Sequence, residues 1–230
     1  AKLLPLLAYL AFAIGVIGAN PFAGETIGPF DLLVAQAGWT VQGEPTQVRN
    51  VERSDVLDSL LPSWIYQRKE IRGGHLSTWN PLPAGGRPGI QDLSNAELTP
   101  AFAIFAMSPN AALGFYLATL FNLTIAGWGA HLWLRRRVAL LPAVFGAVTV
   151  MLCGFHTAWL YWPHTLTSIW ICWLLWAIDR WWQTPRYGRF AFMVGFSTLL
   201  LLGGFPFVTL LGAGAAALYL LCLWIADRQP

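Results

Sequence analysis

AALGFYLATLFNLTIAGWGAHLWLRRR, residues Ala111–Arg137, runs from Ala111 to Leu134 without one Asp, Glu, Lys or Arg and then meets three arginines in a row. A helix needs roughly 20 apolar residues to cross a bilayer core of about 30 Å, so this run reads as a transmembrane helix with a cationic end. Five more apolar stretches follow the same logic: roughly Leu3–Ala19, Val138–Gly154, Leu166–Trp182, Phe190–Gly204 and Phe207–Ala226. Every Lys or Arg close to one of their ends falls on one side. With the amino terminus inside, Lys2, Arg135–Arg137, the turn carrying Arg180, Arg186 and Arg189, and Arg228 are all cytoplasmic, whereas the turns Phe155–Thr165 and Phe205–Pro206 carry neither residue type. That is the positive-inside pattern. The expectation is an all-α integral membrane protein of about six transmembrane helices with both termini cytoplasmic: a first helix over 1–19, an external loop over 20–110 and a five-helix bundle over 111–230.

Composition agrees. A hydrophobic fraction of 56%, a charged fraction of 11% and 13 tryptophans suit a lipid-facing surface better than a soluble one. Trp39, Trp64, Trp79, Trp128, Trp133, Trp162, Trp181, Trp182 and Trp224 fall in loops or towards span ends, where interface anchoring is the expected role. The net charge of +3 comes mostly from the cytoplasmic arginines and argues topology, not a nucleic-acid partner. Cys153, Cys172 and Cys222 lie inside apolar stretches without CxxC spacing, against a disulfide framework or zinc site. Asn20-Pro21-Phe22 is a poor signal cleavage site, so Leu3–Ala19 reads as a retained span.

Asn20–Pro100 holds nine of the eleven acidic residues, and a loop this long is more often a functional cap than a connector. Within it, Asp55–Arg72 has helical periodicity: Leu57, Leu60, Leu61, Trp64, Arg68 and Ile71 share one side, and Asp55, Asp58, Ser59 and Lys69 the other. Ser54 is placed to cap it and Pro62 to kink it. An amphipathic helix between two spans is suited to lie along the membrane surface. The Gly- and Pro-rich run from Gly73 to Gly89 argues against regular structure, and Ala101–Ser108, too short to span, reads as a re-entrant or interfacial segment. His131 reads as structural, Asn122 needs a partner at membrane depth, and Gly127, Gly129 and Ala130 suggest close helix contact. Gly203-Gly204-Phe205-Pro206 reads as a tight external turn, with a site lining as the alternative. His156 and His164, flanking an external turn, are candidates for ligating a metal or touching a phosphate, beside the plainer reading of hydrated loop histidines.

The order Asn50…Asp55…Pro62, a basic residue before Gly73-Gly74, Trp79-Asn80-Pro81, Gly85-Gly86-Arg87-Pro88, Pro100, Trp162-Pro163-His164, Asp179-Arg180 and Gly203-Gly204-Phe205-Pro206 resembles YfhO-like bacterial membrane proteins, which belong with the GT-C polytopic glycosyltransferases. The likeness covers the amino-terminal half of that architecture. It implies a multi-pass protein of the bacterial cytoplasmic (inner) membrane that takes a sugar from a polyprenyl-phosphate donor on the outer face. An acidic residue of the first external loop then serves as catalytic base or metal ligand. Asp55 is the matching position, followed by Asp58 and Asp31, and a divalent cation is the cofactor such a site would admit. Transfer needs a carboxylate for the acceptor hydroxyl and cations for the leaving phosphate. Lys69, Arg72 and Arg87 are the available cations. Two other classes stand beside the enzyme: a non-catalytic scaffold subunit of a larger membrane complex, and a transporter, for which the spans hold almost no ionisable residues.

Overall fold

A computed structural model describes residues 4–35, 48, 54–83 and 85–227 of the chain. Lys2, Trp39, Asn50 and Arg228 lie outside the described residues. The structure is mostly helical (72%), compatible with an all-α membrane protein. Three helical stretches, Ala111–Leu134, Leu140–Ala158 and Pro206–Ala226, are long and apolar enough to cross a membrane, and Leu4–Ile17 and Tyr187–Leu202 are shorter apolar helices.

Helix α1 (Leu4–Ile17) leads into the loop region, where α2 (Leu61–Arg72), a short ladder of β1 (Trp79–Asn80) and β2 (Arg87–Pro88), and α3 (Pro100–Met107) precede the central helix α4 (Ala111–Leu134). There follow α5 (Leu140–Met151), α6 (Gly154–Ala158), α7 (Pro163–Ser168), α8 (Ile171–Gln183), α9 (Tyr187–Leu202) and α10 (Pro206–Ala226). The stretch expected as one helix over Leu166–Trp182 is therefore divided between α7 and α8. In the two-residue ladder, Trp79 pairs with Pro88 and Asn80 with Arg87, a small departure from the irregular loop expected there. Two residue pairs are all that fit between the turns that glycine and proline impose.

Helix α4 is the core, with 61% of its apolar window buried, against 22% for Leu140–Ala158 and 17% for α10. Its small residues explain why. A Cβ on Gly129 would meet the Trp173 indole at 2.5 Å, so only glycine lets α8 come close enough for Trp173 Nε1 to donate to the Ile125 carbonyl at 2.9 Å. On another face, Tyr9 of α1 is fully buried, its hydroxyl 2.8 Å from His131 Nδ1, and Trp128 stacks on the same imidazole. Asn122 has no such partner: its Oδ1 is buried and unbonded.

At the carboxyl end of α4 the arginine triplet is not simply solvated. Asp179 of α8, 2% exposed, accepts from Arg136 and, at 2.6 Å, from Arg137. Tyr219 of α10 donates to the same carboxylate at 3.0 Å and also pairs with Arg137, while Arg136 reaches Gln183. Three helices are thus joined through one carboxylate. Losing that charge leaves two guanidiniums partly buried and unpaired, which costs about 3 kcal/mol where the partner is well buried, and less for the share of Arg137, which is 37% exposed. Asp179→Asn is expected to lower the thermal stability of the purified chain by up to about 3 kcal/mol, with a sub-additive effect when combined with Arg136→Gln. Unchanged melting would show that the cluster contributes nothing net.

Candidate functional site

The site lies at the other end of α4, where the loop region packs. Pro62 decides its local geometry. Proline has no N–H and its ring crowds the carbonyl four residues back, so an ordinary α-turn cannot run through it. The chain answers with a π-helical turn over Val56–Leu60, in which the Leu61 N–H bonds to the Val56 carbonyl five residues earlier. Asp55 heads this turn, its side chain making no capping bond, and Ser54 contributes its carbonyl to the N–H groups of Leu57 and Asp58. The expected kink at Pro62 takes the form of this wide turn.

The buried face of the segment also differs from the periodic reading. Val56, Leu60, Ser63, Trp64 and Gln67 point inward, while Leu57, Leu61 and Arg68 are only half-buried. Trp64 is a core anchor, not an interface anchor: its ring meets Phe102, Phe105 and Phe115 at 5.2–6.4 Å, and its Nε1 donates to the Asn95 carbonyl at 2.6 Å. Ser63 Oγ donates to Glu97 Oε1 at 2.6 Å. These bonds fix α2 to the segment 93–97.

Between that segment, the π-turn and α7 lies a cavity of about 300 Å³. Its polar side is Asp55, Ser59, Ser94 and Asn95, and its aromatic side is Trp162, His164 and Phe205. The His164 imidazole is held between the Trp159 indole (centroids 4.3 Å apart, 8° between planes) and the Phe205 ring (3.6 Å, 29°). Phe205 is placed by the Gly203-Gly204 turn. Gly204 has φ +89°, and a Cβ there would meet the Leu93 carbonyl at 2.2 Å, so the turn docks directly on the loop region. These residues thus make a tight turn and, through Phe205, part of the cavity wall. Three cavity residues, Asn95, Trp162 and His164, each carry a buried side-chain nitrogen without a hydrogen-bond partner: Nδ2, Nε1 and Nδ1.

A second cavity of about 210 Å³ shares Ser59 with the first and is lined by Asp58, Ser63, Asn80 and Arg87. Arg87 is locked beside both. Its guanidinium donates to Ser59 Oγ and Asn95 Oδ1, each at 3.0 Å, and to the Ser59 carbonyl at 3.4 Å.

Of the residues singled out from sequence, then, Asp55 and His164 share one cavity, with Arg87 and Asp58 at its neighbour. The others lie elsewhere. Arg72, together with Arg68, donates to the carbonyls at the end of α3: Arg68 to Ser108 at 2.6 Å, Arg72 to Ser108 and to Ala106. Cations there offset the negative end of the helix dipole. Lys69 is exposed on α2, and Asp31 sits in a 3-10 turn, Phe30–Ala35, lining neither cavity. His156 is buried with both ring nitrogens engaged, Nδ1 by the Val150 carbonyl at 2.8 Å and Nε2 by Ser168 Oγ at 2.9 Å. Among the described residues no three His, Cys, Asp or Glu side chains come together as a metal-binding group.

Sequence reasoning missed Asn95 and Glu97, which carry no motif and no periodicity. Glu97 is 4% exposed, and its second oxygen is buried without a partner. Burial pushes its carboxyl above the ordinary value, against the opposing pull of the Ser63 hydrogen bond and the Arg87 charge. An unfolded Glu titrates near about 4.3, so the folded chain holds this proton more tightly. Its stabilising effect is full below the unfolded pKa and is lost as pH rises through the folded one. Glu97→Gln keeps an oxygen for Ser63 and removes the charge. Its melting temperature is expected to gain on wild type progressively from about pH 4 upward. A difference that stays flat with pH would mean that Glu97 titrates as an ordinary carboxylate.

Compared with known proteins, the chain matches no family model, no curated protein and no solved structure.

Proposed function

We propose that this chain carries out GT-C-like transfer of a sugar from a polyprenyl-phosphate donor at the outer face of the bacterial inner membrane, with Asp55 as general base. The observation that carries the reading is the pairing of Asp55 with an aromatic-walled cavity beside a fixed guanidinium, Arg87. Aromatic faces suit the apolar C–H face of a sugar ring, while Ser59, Ser94 and Asn95 suit its hydroxyls. Asp55 takes the proton of an acceptor hydroxyl, and that oxygen forms a bond to the anomeric carbon. The bond from the anomeric carbon to the phosphate oxygen breaks, and Arg87 offsets the charge on the departing polyprenyl phosphate. The resemblance to YfhO-like proteins supplies the donor class.

In the same reading the chain crosses the membrane six times, through α1, α4, α5–α6, α7–α8, α9 and α10, with both termini cytoplasmic. The packing supports this alternation. Gly146 and Met151 of α5 lie against Leu134 and Gly127 of α4, so those two helices are antiparallel. Trp170, Trp176 and Trp181 of the α8 region face Phe196, Phe192 and Phe190 of α9 in reverse order. The cavity and the arginine triplet then fall on opposite sides. Phe22 and Tyr187, each 96% exposed, are suitable reporters. After replacement of the native cysteines, Phe22→Cys is expected to react with an impermeant maleimide in intact cells, and Tyr187→Cys only after permeabilisation. Reaction of Tyr187→Cys from outside would overturn the topology.

Asp55→Asn preserves size and removes the base. In vesicles supplied with a polyprenyl-phosphate sugar and envelope acceptors, transfer is expected to fall by roughly 100-fold or more. Undiminished transfer excludes Asp55 as the base. A scaffold subunit is the second reading, favoured by the engagement of Arg72 with α3 carbonyls instead of a phosphate site. Copurification in fixed stoichiometry with other membrane proteins, together with no transfer by the native chain, would select it.

A further inference from the structure

The arginine-rich end of the bundle carries a feature that sugar transfer does not use. Six arginines gather there: Arg135, Arg136, Arg137, Arg180, Arg186 and Arg189. The two described carboxylates at that end are already engaged, Asp179 with Arg136 and Arg137, and Asp227 as acceptor from Trp182 Nε1 at 2.6 Å. Three of the remaining arginines have other contacts. Arg135 donates to the Val138 carbonyl, Arg180 lies over the Trp176 ring at 5.0 Å, and Arg189 donates to the Arg180 and Thr184 carbonyls. The Arg186 side chain has no hydrogen bond or ion pair among the described residues, and its carbonyl accepts from the Arg189 and Phe190 N–H groups at the start of α9. It lines a cavity of about 640 Å³ with Trp181, Pro185, Tyr187 and Phe190.

We propose that this cavity is a binding site for an anionic phospholipid, with Arg186 on the headgroup phosphate and the rings of Trp181 and Phe190 on the glycerol and first acyl carbons. Two observations point to that occupant. The first is charge: Arg186 lines the cavity, Arg180 and Arg189 are the neighbouring cations on the same turn and have no carboxylate among the described residues either, and each cation near a membrane surface attracts anionic lipid by about 1 kcal/mol, or roughly fivefold. The second is the combination of a cation with exposed rings at the start of an apolar helix, α9, with Tyr187 96% and Phe190 47% exposed. A free anion would gain nothing from three rings, whereas an amphiphile uses both. The proposal rests on the helices being membrane-embedded and is independent of Asp55 and of any transferase activity.

Native mass spectrometry of the detergent-solubilised full chain, titrated with phosphatidylglycerol or with phosphatidylcholine, tests it. The first phosphatidylglycerol adduct is expected to bind more tightly than phosphatidylcholine, and to weaken about fivefold or more in Arg186→Gln. It is expected to weaken in Trp181→Ala as well, and to hold in Arg135→Gln, which removes a nearby cation outside the cavity. The Arg186 side chain is exposed and makes no bond within the described residues, so its replacement leaves the fold intact, and an unchanged melting temperature verifies that. Equal losses in Arg186→Gln and Arg135→Gln would mean diffuse charge attraction and no site. No loss in Arg186→Gln, or full displacement of the lipid by millimolar inorganic phosphate, would also overturn the proposal.

Discussion

Asp179 is the only acidic residue between Pro100 and Ala226, and the bundle is arranged around it. A carboxylate at 2% exposure is tolerable only if its charge is met, and it is met from two helices at once: by Arg136 and Arg137 at the end of α4 and by Tyr219 of α10. The grip sets the axial register of α4, α8 and α10 at one end. Register at that end determines where the opposite ends stop, and therefore where Phe205 and Trp162 stand relative to the loop region that carries Asp55.

Much of the helical framework was legible because it depends on composition. Apolar runs ended by arginines locate helices whatever their neighbours are, and Gly127 and Gly129 announced close packing on α4. The division between α7 and α8 was hidden, since the residues between them, Ile169 and Trp170, are as apolar as a continuous helix would require. The pairing of the triplet with Asp179 was hidden for a different reason. The two segments lie over forty residues apart, and a positive-inside count treats each arginine as a free charge.

The candidate site was legible in part. Asp55, Arg87, His164 and the Gly-Gly-Phe-Pro turn were all named from the chain, and they meet at adjoining cavities. Arg72 was misplaced because a guanidinium near a helix end offers the same chemistry to a phosphate and to the carbonyls of α3, and sequence does not say which is nearer. Periodicity also misjudged the buried side of the 55–72 segment. It followed the apolar side chains Leu57 and Leu61, whereas the buried face of Val56, Leu60, Ser63, Trp64 and Gln67 takes in two polar residues at the same helical spacing. Ser63 is satisfied there by Glu97, a partner that no local pattern would find.

The π-turn over Val56–Leu60 gives the cap an unusual sensitivity to length. It carries one residue more than an α-helical turn, so deleting a single position between Val56 and Leu60 takes out the residue that widens it. The anchors after Pro62, Trp64 on Asn95 and Ser63 on Glu97, would stay where they are, while Asp55 would swing by about 100° around the helix axis and leave the cavity. A one-codon deletion would thus separate the carboxylate from the aromatic wall while sparing the bundle. Among relatives that diverge by small insertions and deletions, the length of this turn would sort chains that keep the acidic rim from chains that keep only the scaffold.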